Sequence, residues 1–288
     1  TGMPQKWPTL EASRWIVDHV GGVFAARWAH RAAGVAFTGL LVAHLTVAIV
    51  GLLSRRMKPS MLLSGRDFAH TNAIAQQMVN FTYAIGDRSS GECVLIDPAY
   101  AVNELVDLVE SDGMRVTGVL ATHFHADHIG GNLMGHQVEG VATLLERCSC
   151  PVHVQADEVP WITRTSGLTA SQLRTHDGGD VVTVGDIEIT LVHTPGHTPG
   201  SQCFFVDGRL VSGDTLFLDG CGRTDFTGSD PAAMYDSLQV LAAMPRGTEA
   251  YPGHRYSAPT SATIEEITAS NYVYRPSSKE QWLAMFGR

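Results

Sequence analysis

Positive charge is scarce after the first sixty residues. Residues 61–288 hold 13 Lys and Arg against 27 Asp and Glu, a net of −14, while residues 1–60 hold seven against two, a net of +5 within the overall −9. Binding nucleic acid needs a basic stripe to meet the phosphate backbone, so an acidic part without one argues against that class of partner. Cysteine is also scarce: five residues, an odd number without framework spacing. That argues against a disulfide scaffold and for free thiols in a reducing compartment. Cys148 and Cys150 have the spacing of half a metal clip, but no second pair completes it. Low-complexity tracts and internal repeats are absent. With 44% hydrophobic and 17% charged residues the chain is not disordered, and 288 residues make one large domain or two small ones with a sizeable core.

One long apolar run is present. Residues 32–54, AAGVAFTGLLVAHLTVAIVGLLS, have no charge unless His44 is protonated, and as a helix they are long enough to cross a bilayer. Arg27 and Arg31 flank one side and Arg55, Arg56 and Lys58 the other, so the charge rule does not orient the run. It is too long and starts too deep for a cleaved signal peptide. A buried helix is the alternative, as is a stretch upstream of the natural start, with Met57 or Met61 in that place. His30 and His44 lie 14 apart, but haem ligation would need partner histidines on a second apolar helix. The expected organisation is an N-terminal extension, residues 1–60, with a candidate membrane helix at 32–54, and a catalytic domain, residues 61–288. That domain is expected in the cytoplasm, with the extension as a candidate membrane anchor.

Beyond residue 60 the pattern is that of alternating strands and helices. Residues 78–87 and 92–98 read as strands around the turn RSSG, and 99–113 as a helix ending at Gly113. Residues 115–123 and 151–155 read as strands, with part of 132–150 helical between them. Segments 180–196 and 201–215 alternate as strands joined by glycine turns. Residues 230–245 form an amphipathic helix and 248–254 a last strand. This mixed order predicts an α/β or α+β fold.

The densest chemistry lies in THFHADHIGG, residues 122–131. His123 and His125 are two apart, so in extended chain both imidazoles face one point. Asp127 and His128 follow at another phase and, if the chain turns, face a second point nearby. Gly130 and Gly131 permit close approach or unusual dihedrals. His197 in HTPGHTPGS, Asp214 in VSGDTLF and His254 in YPGH each sit at a strand end, where catalytic groups collect. Five His and two Asp suit two divalent metals with open positions for water. His136, His153, His176 and His193 lack such context and read as structural or surface residues.

THFHADH, TPGH, SGDTLF and YPGH, in this order, resemble the metallo-β-lactamase-fold superfamily over about residues 61–275. The resemblance implies a four-layer αββα sandwich with metals at one edge of two sheets. In two-metal members the positions of His123, His125 and His197 hold the first metal, those of Asp127, His128 and His254 the second, and that of Asp214 bridges both. The lactamase branch often places a cysteine among the second metal's ligands, and here no cysteine falls at a ligand position. GCGRTDF (220–226) and HRY (254–256) are similar to glyoxalase II, a hydroxyacylglutathione thioester hydrolase, and to the persulfide dioxygenases. Arg223 matches the position of a cation near the glutathione moiety, and Tyr256 that of a glutathione-contacting tyrosine. Arg223 has a second reading as an internal ion pair with Asp225, and Cys221 reads as packing beside the site.

Glyoxalase II carries a helical C-terminal domain with further basic contacts. Here 34 residues follow His254, with Arg255, Arg275, Lys279 and Arg288 as their cations. The persulfide dioxygenases share GCGRTDF more closely and bind one iron through the equivalents of His123, His197 and Asp214. The 69-residue gap from His128 to His197 suggests an insertion near 132–150 that shapes the substrate mouth. The favoured expectation is a thioester or related acyl-ester hydrolase with two divalent metals, zinc before iron, in which Asp127 orients the attacking water or takes its proton. An iron persulfide dioxygenase is the alternative, and an inactive metal-binding module tethered to a membrane a third.

Overall fold

The structure is a computed structural model that describes residues 77–287 in full, the backbone of 60–63, and Arg31, Ala32 and Thr38. The chain divides into two compact units, Thr1–Arg55 and Arg56–Arg288. The candidate membrane helix at 32–54, apart from Ala32 and Thr38, lies outside the described residues, as do His30 and His44. Among the described residues no helix is long and apolar enough to cross a membrane.

The second unit opens with β1 (Ser60–Leu63), β2 (Phe81–Asp87) and β3 (Glu92–Ile96), paired antiparallel in sequence. Helix α1 (Val102–Ser111) buries Val102, Leu105, Val106 and Val109, an i, i+3, i+4, i+7 stripe. After it come β4 (Arg115–Leu120), α2 (Ala126–Ile129), β5 (Gly131–Leu133), β6 (His136–Val138), α3 (Val141–Arg147), β7 (Val152–Gln155), α4 (Val159–Thr165) and β8 (Leu173–His176). The first six-stranded sheet runs β1-β2-β3-β4-β7-β8, and β5 and β6 form a separate hairpin.

Then follow β9 (Val181–Val184), β10 (Ile187–His193), β11 (Gln202–Val206), β12 (Arg209–Gly213), α5 (Pro231–Ala242), β13 (Glu249–Pro252), β14 (Ala262–Thr263), α6 (Ile264–Ser270) and α7 (Lys279–Phe286). They build a second six-stranded sheet in the order β14-β13-β12-β11-β10-β9. Helix α5 begins where Asp230 accepts hydrogen bonds from the backbone of Ala232 and Ala233, with Pro231 at the first turn, where its missing N–H costs nothing.

Successive side chains of a strand face opposite ways, and here both faces are buried. In β3, Val94 and Ile96 meet the second sheet, where Phe204, Ile189 and Leu191 receive them, while Cys93 and Leu95 pack under α1 with Leu105 and Val109. On the far side Met234, Leu238 and Leu241 of α5 pack with Leu210, Ala250 and Trp282. Three apolar layers between four layers of elements give the expected αββα sandwich.

The differences from expectation are local. Residues 97–101 are a turn rather than the start of a helix, with Asp97 at φ 51° and Tyr100 at φ 73°. The stretch 132–150, expected to be helical in part, is a hairpin followed by the short α3, whereas 180–196 forms β9 and β10 joined at Gly185, in keeping with the glycine turns expected there. Helices α4, α6 and α7 and the short edge strands were outside the sequence expectation. Their apolar faces are brief, and packing on the sheets supplies their stability.

Candidate metal centre

Four loops converge at one edge of the sandwich, each after the C-terminal end of β4, β10, β12 or β13. His123 and His125 leave β4 in extended backbone, and His125 is the cap residue of α2 at φ −63°, ψ 144°. Helix α2 then turns Asp127 and His128 in another direction. The helix is followed by Gly131 at φ 129°, where a Cβ would lie 2.2 Å from the carbonyl oxygen of Thr165, so no other residue fits without shifting α4. Gly253, just before His254, has an ordinary backbone, but a Cβ there would lie 2.4 Å from Asp214 Oδ1.

The side chains gather into two adjacent groups. The ligand atoms of His123, His125 and His197 all lie within 4.8 Å of one another, as do those of Asp127, His128 and His254. His197 Nε2 is 2.9 Å from His125 Nδ1, and His128 Nε2 is 3.2 Å from His254 Nε2. Asp214 reaches both groups: Oδ2 lies 3.2 Å from His254 Nε2 and 3.7 Å from His197 Nε2, and Oδ1 lies 3.4 Å from His128 Nε2.

Four of the five imidazoles have their second ring nitrogen held by the protein. His128 Nδ1 lies 2.9 Å from Asp97 Oδ2, His197 Nδ1 2.8 Å from the carbonyl of Arg223, His254 Nδ1 2.7 Å from that of Met78, and His123 Nδ1 2.9 Å from Thr122 Oγ1. Fixing one ring nitrogen aims the other, the arrangement of metal-binding histidines. Asp97, His123 and His128 also lie close enough to form a third group. The Asp97 carboxylate, however, already accepts from the backbone N–H and the hydroxyl of Thr122 at 2.7 and 2.6 Å as well as facing His128, which makes it an orienting group. Asn80 Nδ2 donates to Asp127 Oδ2 at 3.1 Å.

Electrostatics separate the two groups. Burial, then the neighbouring histidines, lowers the pKa of His123 well below its ordinary value; burial and His197 lower that of His125 to about 4. Both therefore stay neutral with a lone pair to offer. Burial also opposes charge on His128, but Asp127, Asp214 and Asp97 outweigh it and raise its pKa to about 10. Asp214 and Asp127 are lowered despite burial, the first by His254 and His128, the second by His128 and His254. His123 Nε2 and Asp214 Oδ1 are buried without a hydrogen-bond partner among the described residues. Buried polar atoms rarely stay unpaired, and an unpaired imidazole nitrogen and carboxylate oxygen in one cluster are a donor set that fits a cation.

The sandwich defines a protein of the αββα class, with a His and Asp cluster suited to metal binding at its edge. The family model of the Metallo-beta-lactamase superfamily matches residues 77–254, and the chain belongs to that superfamily. It is 37% identical over 196 residues to a hydroxyacylglutathione hydrolase of Rhodopseudomonas palustris strain HaA2, covering 66% of this chain and 69% of the relative. It is 30% identical over 229 residues to the mitochondrial persulfide dioxygenase ETHE1 of Mus musculus, covering 78% and 82%. Among solved structures, ETHE1 from Myxococcus xanthus superposes with a TM-score of 0.66 at 29% identity over 81% of this chain and 91% of that one.

All seven expected metal-site residues meet at this edge. The ring of Tyr256 stacks on that of His254 with centroids 4.8 Å apart and planes 2° from parallel, and the residue is 55% exposed. Arg223 forms the anticipated ion pair, with Nε 2.9 Å and Nη2 2.6 Å from the two carboxylate oxygens of Asp225. Its guanidinium lies 4.3 Å from the ring centre of Phe226, and its side chain remains 66% exposed. Phe226 in turn meets His125 edge-on at 5.4 Å, a contact with no counterpart in the sequence reading. Asp97, Asn80 and Glu158 were also missed. Asp97 carries a signal in retrospect, a carboxylate in IDP at a strand end; Asn80 and Glu158 carry none. Cys221 packs against the core that includes Leu216, Met234 and Trp282, and burial pushes its thiol up to about 12, which removes it as a nucleophile. His153 and His176 bond each other at 2.8 Å, and His193 bonds the carbonyl of Pro199, as structural histidines do.

Proposed function

We propose that the chain is a hydrolase of thioesters or related acyl esters, with two divalent cations, zinc before iron, as its cofactors. The observation that supports it most is Asp214, within 3.7 Å of imidazole nitrogens in both groups. A mononuclear site needs three ligands and leaves the Asp127, His128 and His254 group without a task. In this reading His123, His125 and His197 hold one cation, Asp127, His128 and His254 the other, and Asp214 lies between. When bound, such cations supply a Lewis acid and lower the pKa of water toward ~7.

The chain's own groups do the rest. Asp127, kept ionised by His128 and His254 and fixed by Asn80, is the base that orients water and accepts its proton. The edge residues Phe226 and Tyr256 line the approach with aromatic surface. Arg223 is preorganised by Asp225 and Phe226 and offers its exposed face to a carboxylate of the thiol carrier. A glutathione-derived carrier is the favoured substrate class, since a relative bears the name hydroxyacylglutathione hydrolase.

The second reading, a persulfide dioxygenase with one iron at His123, His197 and Asp214, draws on coverage. The persulfide dioxygenase relative aligns over 82% of its length, the hydrolase over 69%. The deciding experiment supplies S-lactoylglutathione and glutathione persulfide separately and follows thiol release and oxygen uptake, with metals counted on the same sample. Oxygen-independent thioester cleavage with about two metal equivalents is expected. Oxygen uptake with the persulfide by protein holding one iron, with thioesters left intact, would replace the first reading by the second.

A further inference from the structure

Glu158 ends the helical turn Ala156–Glu158 between β7 and α4 and is 1% exposed. No salt bridge neutralises it among the described residues. Its Oε1 accepts from the hydroxyl of Thr198 at 2.7 Å and from the backbone N–H of Gly200 at 2.7 Å, and the backbone of Phe124 also favours its charged form. Its Oε2 has no partner. Burial raises its pKa to about 7, so the fold works against the charge it carries. A side chain needed only to fill space there has no reason to be a carboxylate.

These three residues belong to two loops. Phe124 sits between His123 and His125; Thr198 and Gly200 follow His197. Trp161, at the start of α4, reinforces the joint by stacking on Phe124 with centroids 5.0 Å apart and planes 18° apart. Gly200 leaves room for it, since a Cβ there would lie 2.6 Å from Glu158 Cγ. The other group is supported from elsewhere: Asn80 holds Asp127, Asp97 holds His128 and the carbonyl of Met78 holds His254.

We propose that Glu158 is a positioning residue for one cluster only, clamping the loop of His123 and His125 to the loop of His197 and so setting the cation affinity of that cluster. The inference rests on reading these histidines as a metal site. Removing a group that orients metal ligands costs about 10- to 100-fold in affinity. Above about pH 7 the carboxylate is charged, and there the neutral amide of Glu158→Gln keeps the shape and weakens these polar contacts.

The test is a zinc titration against a competing chelator, on wild type, Glu158→Gln, Glu158→Ala, His125→Ala and His254→Ala, with melting of the metal-free proteins. His125→Ala and His254→Ala assign the zinc equivalents to the two clusters. Glu158→Gln is expected to loosen about 10-fold the equivalent that His125→Ala removes, and Glu158→Ala about 100-fold, while the equivalent assigned by His254→Ala stays unchanged. Metal-free Glu158→Gln should melt no lower than wild type near pH 8. Unchanged zinc affinity in Glu158→Gln, or equal loosening of both equivalents with a lower metal-free melting point, overturns the proposal and makes Glu158 a general structural residue. Wild type that binds no zinc, or loses none in His125→Ala, instead overturns the reading of the site, and the proposal falls with it.

Discussion

Asp127 is the residue on which the proposed chemistry turns. It is buried, ionised and held by Asn80 at the edge of the second cluster. Asp127→Asn keeps its volume and loses its basicity, so thioester turnover should fall on the order of 10²-fold or more. A rate equal to wild type at equal metal content would remove Asp127 from the mechanism. Glu158 offers a different measurement. Its pKa of about 7 in the folded chain lies above the ordinary 4.5, so the fold favours its neutral form. The stability this contributes is fully present below about pH 4.5 and is lost as the pH rises through about 7, a swing of roughly 3 kcal/mol. In metal-free protein, Glu158→Gln should remove this component, so that the gap in melting temperature between variant and wild type widens in the variant's favour from pH 5 to about pH 8. A gap independent of pH would show that Glu158 does not titrate in this window.

At the level of elements, the site depends on how short segments are held against each other. The four residues of α2 cannot be stable alone, and packing with a positive-φ glycine exit fixes their direction. That exit brings Gly131 against the Thr165 carbonyl at the end of α4, close to the Glu158 and Trp161 support. Gly131→Ala adds a Cβ both at φ 129° and 2.2 Å from a backbone oxygen, so it should cost at least about 1–3 kcal/mol and weaken the cluster together with the fold. Thermal melting with metal counting checks this, and an unchanged melting point would mean that α4 yields easily. The hairpin of β5 and β6 occupies the stretch where an insertion was expected. Leu133 and Val138 pack it against Ala99 and Tyr100.

For the whole molecule, the two units Thr1–Arg55 and Arg56–Arg288 suggest that the N-terminal residues are dispensable for the chemistry. The sequence placed this boundary after residue 60, on charge and hydropathy. Since β1 begins at Ser60 and pairs with β2, a truncated protein should start at Arg56. It is expected to fold, to bind metal and to keep its activity. Loss of metal or folding would mean that residues 1–55 are needed by the sandwich and would refute the two-domain reading.

The sequence by itself determined the seven side chains of the site and the class of fold. Four of the seven sit in one stretch, THFHADH, and the others close strands, so local spacing already displays them. Alternation in the strands and the stripe of α1 are likewise properties of neighbouring residues. Tertiary structure alone decided which groups face each other. Asp214 lies between the clusters because the ends of β12 and β13 are brought to the end of β4 by the packing of two sheets. It decided that Arg223 is held by Asp225 and Phe226, although both partners were in view in GCGRTDF. It also gave Glu158 its place: HVQADE has no periodic or motif signal, and its carboxylate meets Thr198 and Gly200 only after some forty residues of chain have folded back. Contacts within a few residues follow from local geometry and can be read from the sequence. Contacts between distant segments depend on the packing of the whole core, which no local pattern encodes.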